Sequence, residues 1–481
     1  MRHFIDDVST PELTPERDPY SDDGEFGSDQ EFEPNYDDTQ IVLLASWVNI
    51  GHMLAGYAAG WTAPVLPMLR DPQQTILPYT LNHIQTSWIA SLVFVGIIIG
   101  PFVFGSISNT KGRQPCLVIG GVITTTAFVM KTIPIDVWSL YAARIFMGLG
   151  MGIIITTNLI YLTEIASPNL RGTLLSTTGT SSSLGTLAVY CIAPYVPYAV
   201  TGYVGLIVSL IFTVGSAFLP ETPVFYILID QEAKAREILN DLDRPNDLED
   251  LIATKVDPIS LAQQIKRIFT VKSNRRATYI LVALNTLQGL SGCNAVLFFS
   301  TTIFDMARTT HDSNISTIVI GLTLLFSSCL TPLIIGKSGR RMLLLISTAM
   351  CSVSLISLGA CFYLDEIDHP YADSIEYLPI LSLMTFLLSY NIGFAIIPAT
   401  FTGEMFDSTV RGPGSSFTLI IGWMITFIIT TTFAYTVSVV GAAVTFWVYA
   451  SSCAVAFMFT VVFVPETKGK SLLEIQNLLS K

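Results

Sequence analysis

Three short strings of charged residues occur twice in the chain, in the same order. Gly112-Arg113 returns as Gly339-Arg340, with Arg341 following; Glu164 with Arg171-Gly172 returns as Glu404 with Arg411-Gly412; Pro220-Glu221-Thr222 returns as Pro465-Glu466-Thr467. A lone arginine at the end of an apolar stretch needs no special reading, because Lys and Arg anchor such ends wherever they occur. Acids and bases alternating in one pattern twice ask for more. They can pair in one conformation and part in another, which is the chemistry of a gate. A second set is uncharged. Gln288 and Asn294 lie six residues apart with Gly289 and Gly292 between them. An amide both donates and accepts hydrogen bonds. On a straight helix the two amides diverge by about 120°, but the glycines let the helix bend or open toward a cavity.

These residues sit in a chain that lipid must solvate. Of 481 residues, 51% are hydrophobic and 13% charged, with mean hydropathy +0.57, far from a soluble globular balance. Apolar stretches long enough to cross about 30 Å of hydrocarbon fall near 41–69, 86–107, 115–131, 138–162, 173–195, 200–219, 277–304, 314–335, 342–364, 377–401, 413–436 and 440–464. The expected fold is therefore all-α, with twelve transmembrane helices in two pseudo-symmetric halves, 41–220 and 277–465. The polar stretch 221–276 between them holds two amphipathic segments, 231–242 and 258–269, expected as short helices on the membrane face. Residues 466–481 form a C-terminal tail. Parallel six-span repeats of this kind build a midplane site between two rocking bundles.

The formal net charge of −12 belongs mostly to one segment. Residues 1–40 hold thirteen Asp or Glu against Arg2 and Arg17, and such an acidic, Pro- and Ser-rich tail is expected to be disordered. It is a candidate docking segment for a cytosolic partner. Nineteen Lys or Arg lie in the connections and C-terminus on one side, against Arg70, Lys131 and Arg308 on the other. The positive-inside rule then places both termini in the cytoplasm. Seven cysteines fall almost wholly in apolar spans without paired spacing and read as reduced core residues. Enzyme readings fail. The run Gly336-Lys337-Ser338 lacks the glycine a phosphate loop requires five positions earlier, where Thr331 stands, and no zinc-protease helix or nucleophile elbow occurs. No cofactor and no nucleic acid is expected.

On these motifs the chain resembles the sugar porter family of the major facilitator superfamily. The resemblance covers about residues 41–475. It rests on the two Gly-Arg elements, Arg144, YLTEIASPNLRG at 161–172, PETP at 220–223, QGLSGCNA at 288–295, SGRR at 338–341 and PETKG at 465–469; GWTAPVLPML at 60–69 is most similar to the insect facilitated trehalose and hexose branch. The resemblance implies a facilitative uniporter of a sugar, working in the plasma membrane by alternating access. Its implied solute contacts are Gln288, Asn294, Trp423 and Asn391. Its implied inner gate comprises Arg113, Arg144, Glu164, Arg171, Arg340, Arg341, Glu404 and Arg411. Departures are several. Asn109 and Gly336 stand where the family has carboxylates and Val224 where it has an arginine. Gly179, Gly289, Leu324 and Ala399 replace polar or aromatic solute contacts, and Asn391 replaces a glutamate. Either the site is reshaped for another solute, such as a disaccharide, or the scaffold serves as a non-transporting nutrient sensor. Proton-coupled members carry an aspartate after Gly56-Tyr57, where this chain has Ala58, so facilitated diffusion is expected. His52 is expected to be a packed histidine and not a proton relay.

Overall fold

The computed structural model describes residues 39–242, 244, 247–253, 261–307, 312–370, 375–407, 409–470 and 472–480. The acidic segment 1–38, and with it the docking expectation for the tail, lies outside the described residues, as does Arg308. Every regular element described is helical.

The first half begins with α1 (Thr39–Gly60) and α2 (Thr62–Arg70), which together form one span. It continues through α3 (His83–Lys111), α4 (Arg113–Thr132), α5 (Val137–Ile165), α6 (Pro168–Ile192) and α7 (Tyr198–Ser216). Four short helices follow: α8 (Pro223–Leu228), α9 (Glu232–Asp241), α10 (Asp247–Ala253) and α11 (Leu261–Thr270). The second half contains α12 (Lys272–Leu290), α13 (Cys293–Phe298), α14 (Ser300–Met306), α15 (Ser313–Ile335), α16 (Arg340–Glu366), α17 (Leu378–Ser389), α18 (Ile397–Met405), α19 (Arg411–Val440) and α20 (Ala442–Phe463). A terminal α21 (Leu472–Ser480) packs on α12 and α18.

Local sequence explains the joints. Asn82 and Gln85 close a reciprocal capping box at the start of α3, and Asp136 with Ser139 does the same for α5, satisfying N–H groups that a helix start leaves open. Between α3 and α4 the chain turns on Gly112 alone, at φ +108°. That conformation strains any residue with a Cβ, and a Cβ there would collide with the Glu221 carboxylate. The expected seventh span breaks at Gly292, whose φ of +72° ends one helix and starts the next. The expected tenth span, 377–401, is interrupted as well: Tyr390–Phe394 forms a π turn between α17 and α18.

Among the described residues eleven helical stretches are long and apolar enough to cross a bilayer. The remaining expected span, α6, has 25 residues but is rich in Ser, Thr and Gly. It lies against α1 and α15, and two of its hydroxyls meet α1: Thr186 donates to the Gly56 carbonyl at 3.0 Å and Thr177 accepts from Asn49 at 2.7 Å. A helix that faces protein rather than lipid need not be uniformly apolar.

Within the first half α3 and α4 pack on α5, α4 on α7 and α1 on α6; in the second, α15 and α16 pack on α17, α16 on α20 and α12 on α19. The two sets correspond span for span. The halves meet through α3 with α19 and α6 with α15, again symmetry-related pairs, and through α2 with α14.

Candidate functional site

At one end of the molecule the repeated charges assemble within each half. In the first, Arg113 opens α4 and Glu164 nearly closes α5. Their side chains meet as a two-pronged pair, Nη2 to Oε1 at 2.8 Å and Nε to Oε2 at 3.0 Å, with 4% and 12% of their side-chain surfaces exposed. The third prong of Arg113 donates to the Ser108 carbonyl at 3.0 Å. Glu221, just past α7, accepts the backbone N–H groups of Arg113, Gln114 and Thr222 at 2.9–3.1 Å, and the Thr222 hydroxyl donates to Glu164. Burial pushes the Glu221 carboxyl above the usual range despite those three donors and Arg113, because desolvation penalises the charged form.

The second half repeats the arrangement more loosely. Arg340 Nε reaches Glu404 Oε1 at 3.3 Å, with 22% and 26% of the side chains exposed. Glu466 accepts from the backbone of Arg340, Arg341, Thr467 and Lys468 at 3.0–3.1 Å, and Thr467 Oγ1 donates to Glu404. The extra donor has a sequence cause: Lys468 occupies the place of Pro223, and proline has no N–H. Burial raises the Glu466 carboxyl too, but here the four backbone donors outweigh it and the net shift is downward. Arg341 Nη2 donates to the Val461 carbonyl at 2.7 Å. Both glutamates therefore pair inside their own half. Arg171 and Arg411, in contrast, are exposed, and a Cβ built on the neighbouring Gly172, Gly412, Gly403 or Gly179 would meet nothing within 4 Å.

Arg144 does not belong to this group. It lies twenty residues before Glu164 on α5, about 30 Å along the axis, toward the opposite end. There it is 1% exposed and donates to the carbonyls of Ile89 at 2.8 Å, Ala58 at 3.0 Å and Ala90 at 3.4 Å. Its guanidinium also sits 5.8 Å from the Trp61 ring centre. The inner-gate role that the resemblance implied for Arg144 does not fit this position.

At mid-height, Gln288 and Asn294 fall on either side of the Gly292 break. Gln288 donates to the carbonyls of Phe394 and Ala395 at 2.9 and 3.1 Å; the residue four on from Phe394 is Pro398, which has no N–H to offer it. Asn294 is half-buried, and its amide is unpartnered among the described residues. Asn391 lies in the π turn and donates to Ser327 of α15 at 2.8 Å. Trp423 of α19, half-buried, stacks on Phe94 of α3 with centroids 5.6 Å apart at 22°. Both amides with partners thus brace the walls of the candidate site, where Asn294 and the part of the Trp423 indole that Phe94 leaves uncovered remain available. His52 is buried beside Asn158, with Nδ1 at 3.2 Å from its Nδ2, in keeping with a packing role.

Several contributors carry little signal in the sequence. Arg244, from the connection between halves, caps the end of α5 by donating to the carbonyls of Ile165 at 3.0 Å and Glu164 at 3.3 Å while pairing with Asp247. Tyr190 of α6 donates across the halves to the Leu297 carbonyl at 2.9 Å. Phe94 was one aromatic among many in an apolar helix. The recurrence of Glu221 and Glu466 beside the Gly-Arg elements was visible, but their role as backbone anchors was not.

Twelve helical spans among the described residues, in two symmetry-related halves with amide and indole side chains between them and charged clusters at one end, define a membrane carrier of the major facilitator fold. A profile of the family described as "sugar (and other) transporter" matches residues 20–479, and the chain belongs to that family. It is a transporter and not an enzyme. Among its relatives, a facilitated trehalose transporter of Polypedilum vanderplanki is 29% identical over 92% of this chain and 88% of that one. One from Bombyx mori is 28% identical over 91% and 86%. Solved structures share the fold: the inward-open xylose transporter of E. coli aligns at TM-score 0.75 and 21% identity over 91% of this chain and 99% of that one. A proton:xylose symporter bound to 6-bromo-6-deoxy-D-glucose aligns at 0.73 and 22% over 92% and 100%.

Proposed function

We propose that the protein lets a neutral sugar, a hexose or a trehalose-like disaccharide, cross the plasma membrane down its gradient by alternating access. One observation carries the reading: the halves pack together through α2 and α14 at one end, while at the charged end Arg171 and Arg411 stand exposed beside open space. Between these ends lie the free amide of Asn294 and the indole of Trp423. The trehalose relatives and the absence of an aspartate after Gly56-Tyr57 support passive transport of a sugar. The distribution of Lys and Arg supports a cytoplasmic location for the charged end and both termini. In the gate so formed, Glu164 and Glu404 hold arginines of their own half while the inner side is open. Arg171 and Arg411 supply the cross-half contacts when it closes. The test is flux of labelled glucose and trehalose into vesicles containing the purified protein. Uptake should saturate, equilibrate without accumulation and be unchanged by a protonophore. Accumulation against a gradient that the protonophore abolishes would refute passive transport.

A further inference from the structure

Phe94 has no place in the expected site, yet it stands at its wall. It projects from α3 in the first half and is 2% exposed. Its ring lies nearly parallel to two rings of the second half: Phe298 at 5.4 Å and 7°, and Trp423 at 5.6 Å and 22°. Phe298 follows Asn294 by four residues on α13, so the two share a helix face. The Phe94 ring therefore enters between the elements that bear both solute-facing groups, and it covers part of the flat indole surface on which a pyranose ring would stack. Trp88 and Phe427, on the same two helices, meet at 6.0 Å, a second aromatic contact along the α3–α19 seam.

We propose that Phe94 is a specificity-determining residue, an aromatic wall contributed by the opposite half that narrows the solute site at Trp423. This rests on the sugar-site reading given above. A side chain acting through width discriminates between solutes, whereas one that only packs helices together changes the transport of all solutes alike. The readout is therefore a ratio. Initial rates for glucose and trehalose in vesicles would be measured for the wild type and for Phe94→Ala, Phe94→Leu and Phe94→Tyr. Removing the ring in Phe94→Ala should raise the trehalose-to-glucose ratio of kcat/KM about 5-fold, the scale of one aromatic contact. Phe94→Leu, which keeps bulk but not the flat face, should raise it about 2-fold to 3-fold, and Phe94→Tyr should leave it near the wild-type value. Should Phe94→Ala not reach the membrane, the leucine variant decides on the same ratio. Flux with an unchanged ratio in the alanine and leucine variants overturns this proposal alone. Flux of neither sugar by the wild type overturns the transport reading and this one with it.

Discussion

The two charged clusters are built from the same motif, and they differ in dryness. Arg113 and Glu164 meet through two contacts with almost no exposed surface, and a third donor of Arg113 is spent on Ser108; Arg340 reaches Glu404 once, at 3.3 Å, with about a quarter of each side chain exposed. A guanidinium held at two prongs in a water-poor site resists separation more than one held singly near water. The first cluster is thus the fixed one, and the second is better suited to exchanging partners. Internal duplication preserved the sequence signature of the two ends while their energetics moved apart.

The largest test of this contrast is removal of each acid. Glu164→Gln leaves a buried arginine without its counter-charge and should lower the stability of the solubilised transporter by about 3 kcal/mol. Glu404→Gln should cost about 0.5 kcal/mol. Thermal melting of both variants in one detergent compares them, and equal losses would erase the distinction. A smaller effect concerns the free arginines. A contact made only in the closed state biases the equilibrium by its differential energy, about 1–3 kcal/mol, or roughly 5–150-fold in population. Arg411→Ala should therefore increase labelling of a cysteine placed between Asn294 and Arg340, after normalising to surface protein. Arg171→Ala should shift the labelling in the same direction. Unchanged labelling and unchanged flux in both variants would remove these arginines from the gate.

The smallest effect separates the two anchoring glutamates by pH. Glu221 titrates above its unfolded value, so its contribution to stability is complete below about pH 4.3 and is lost as pH rises through the raised value. Glu466 titrates below, so its contribution is present above about pH 4.3 and is lost as pH falls through the lowered value. The stability difference between wild type and Glu221→Gln should accordingly fall with rising pH, and that for Glu466→Gln should rise. Pro223→Ala supplies the N–H that Lys468 provides in the second half and should flatten the Glu221 slope. A slope indifferent to that substitution would deny the missing donor its part.

Much of the architecture was legible in sequence because lipid imposes a strict length on each apolar run and because the charged strings recur at span ends. The Gly292 break was legible too, since only glycine takes its backbone conformation without strain. The π turn at Tyr390–Phe394 was not: Asn391 and Gly393 look like ordinary members of an apolar helix, and the backbone groups of the turn are bonded by Gln288, Thr331 and Ser347 from other spans. Arg144 entered the implied inner gate with the family resemblance, although counting along α5 at 1.5 Å per residue sets it about 30 Å from Glu164, toward the far end. Phe94 gave no signal, because ring stacking between halves leaves no period in a helix that is apolar throughout.

The hydroxyl of Tyr190 has a consequence for how the seventh span keeps its shape. Leu297 lies where α13 gives way to α14, so its carbonyl is offered to the other half, and the Ser300 hydroxyl at 3.4 Å is a poor replacement. When the halves separate at this end, that oxygen must find water or an amide of its own helix, and joining α13 to α14 into one continuous helix is the second course. The rocking of whole bundles and the winding of a single turn are then one coupled event, visible as slowed amide hydrogen exchange around Phe299 to Thr301 in the state where Tyr190 has let go.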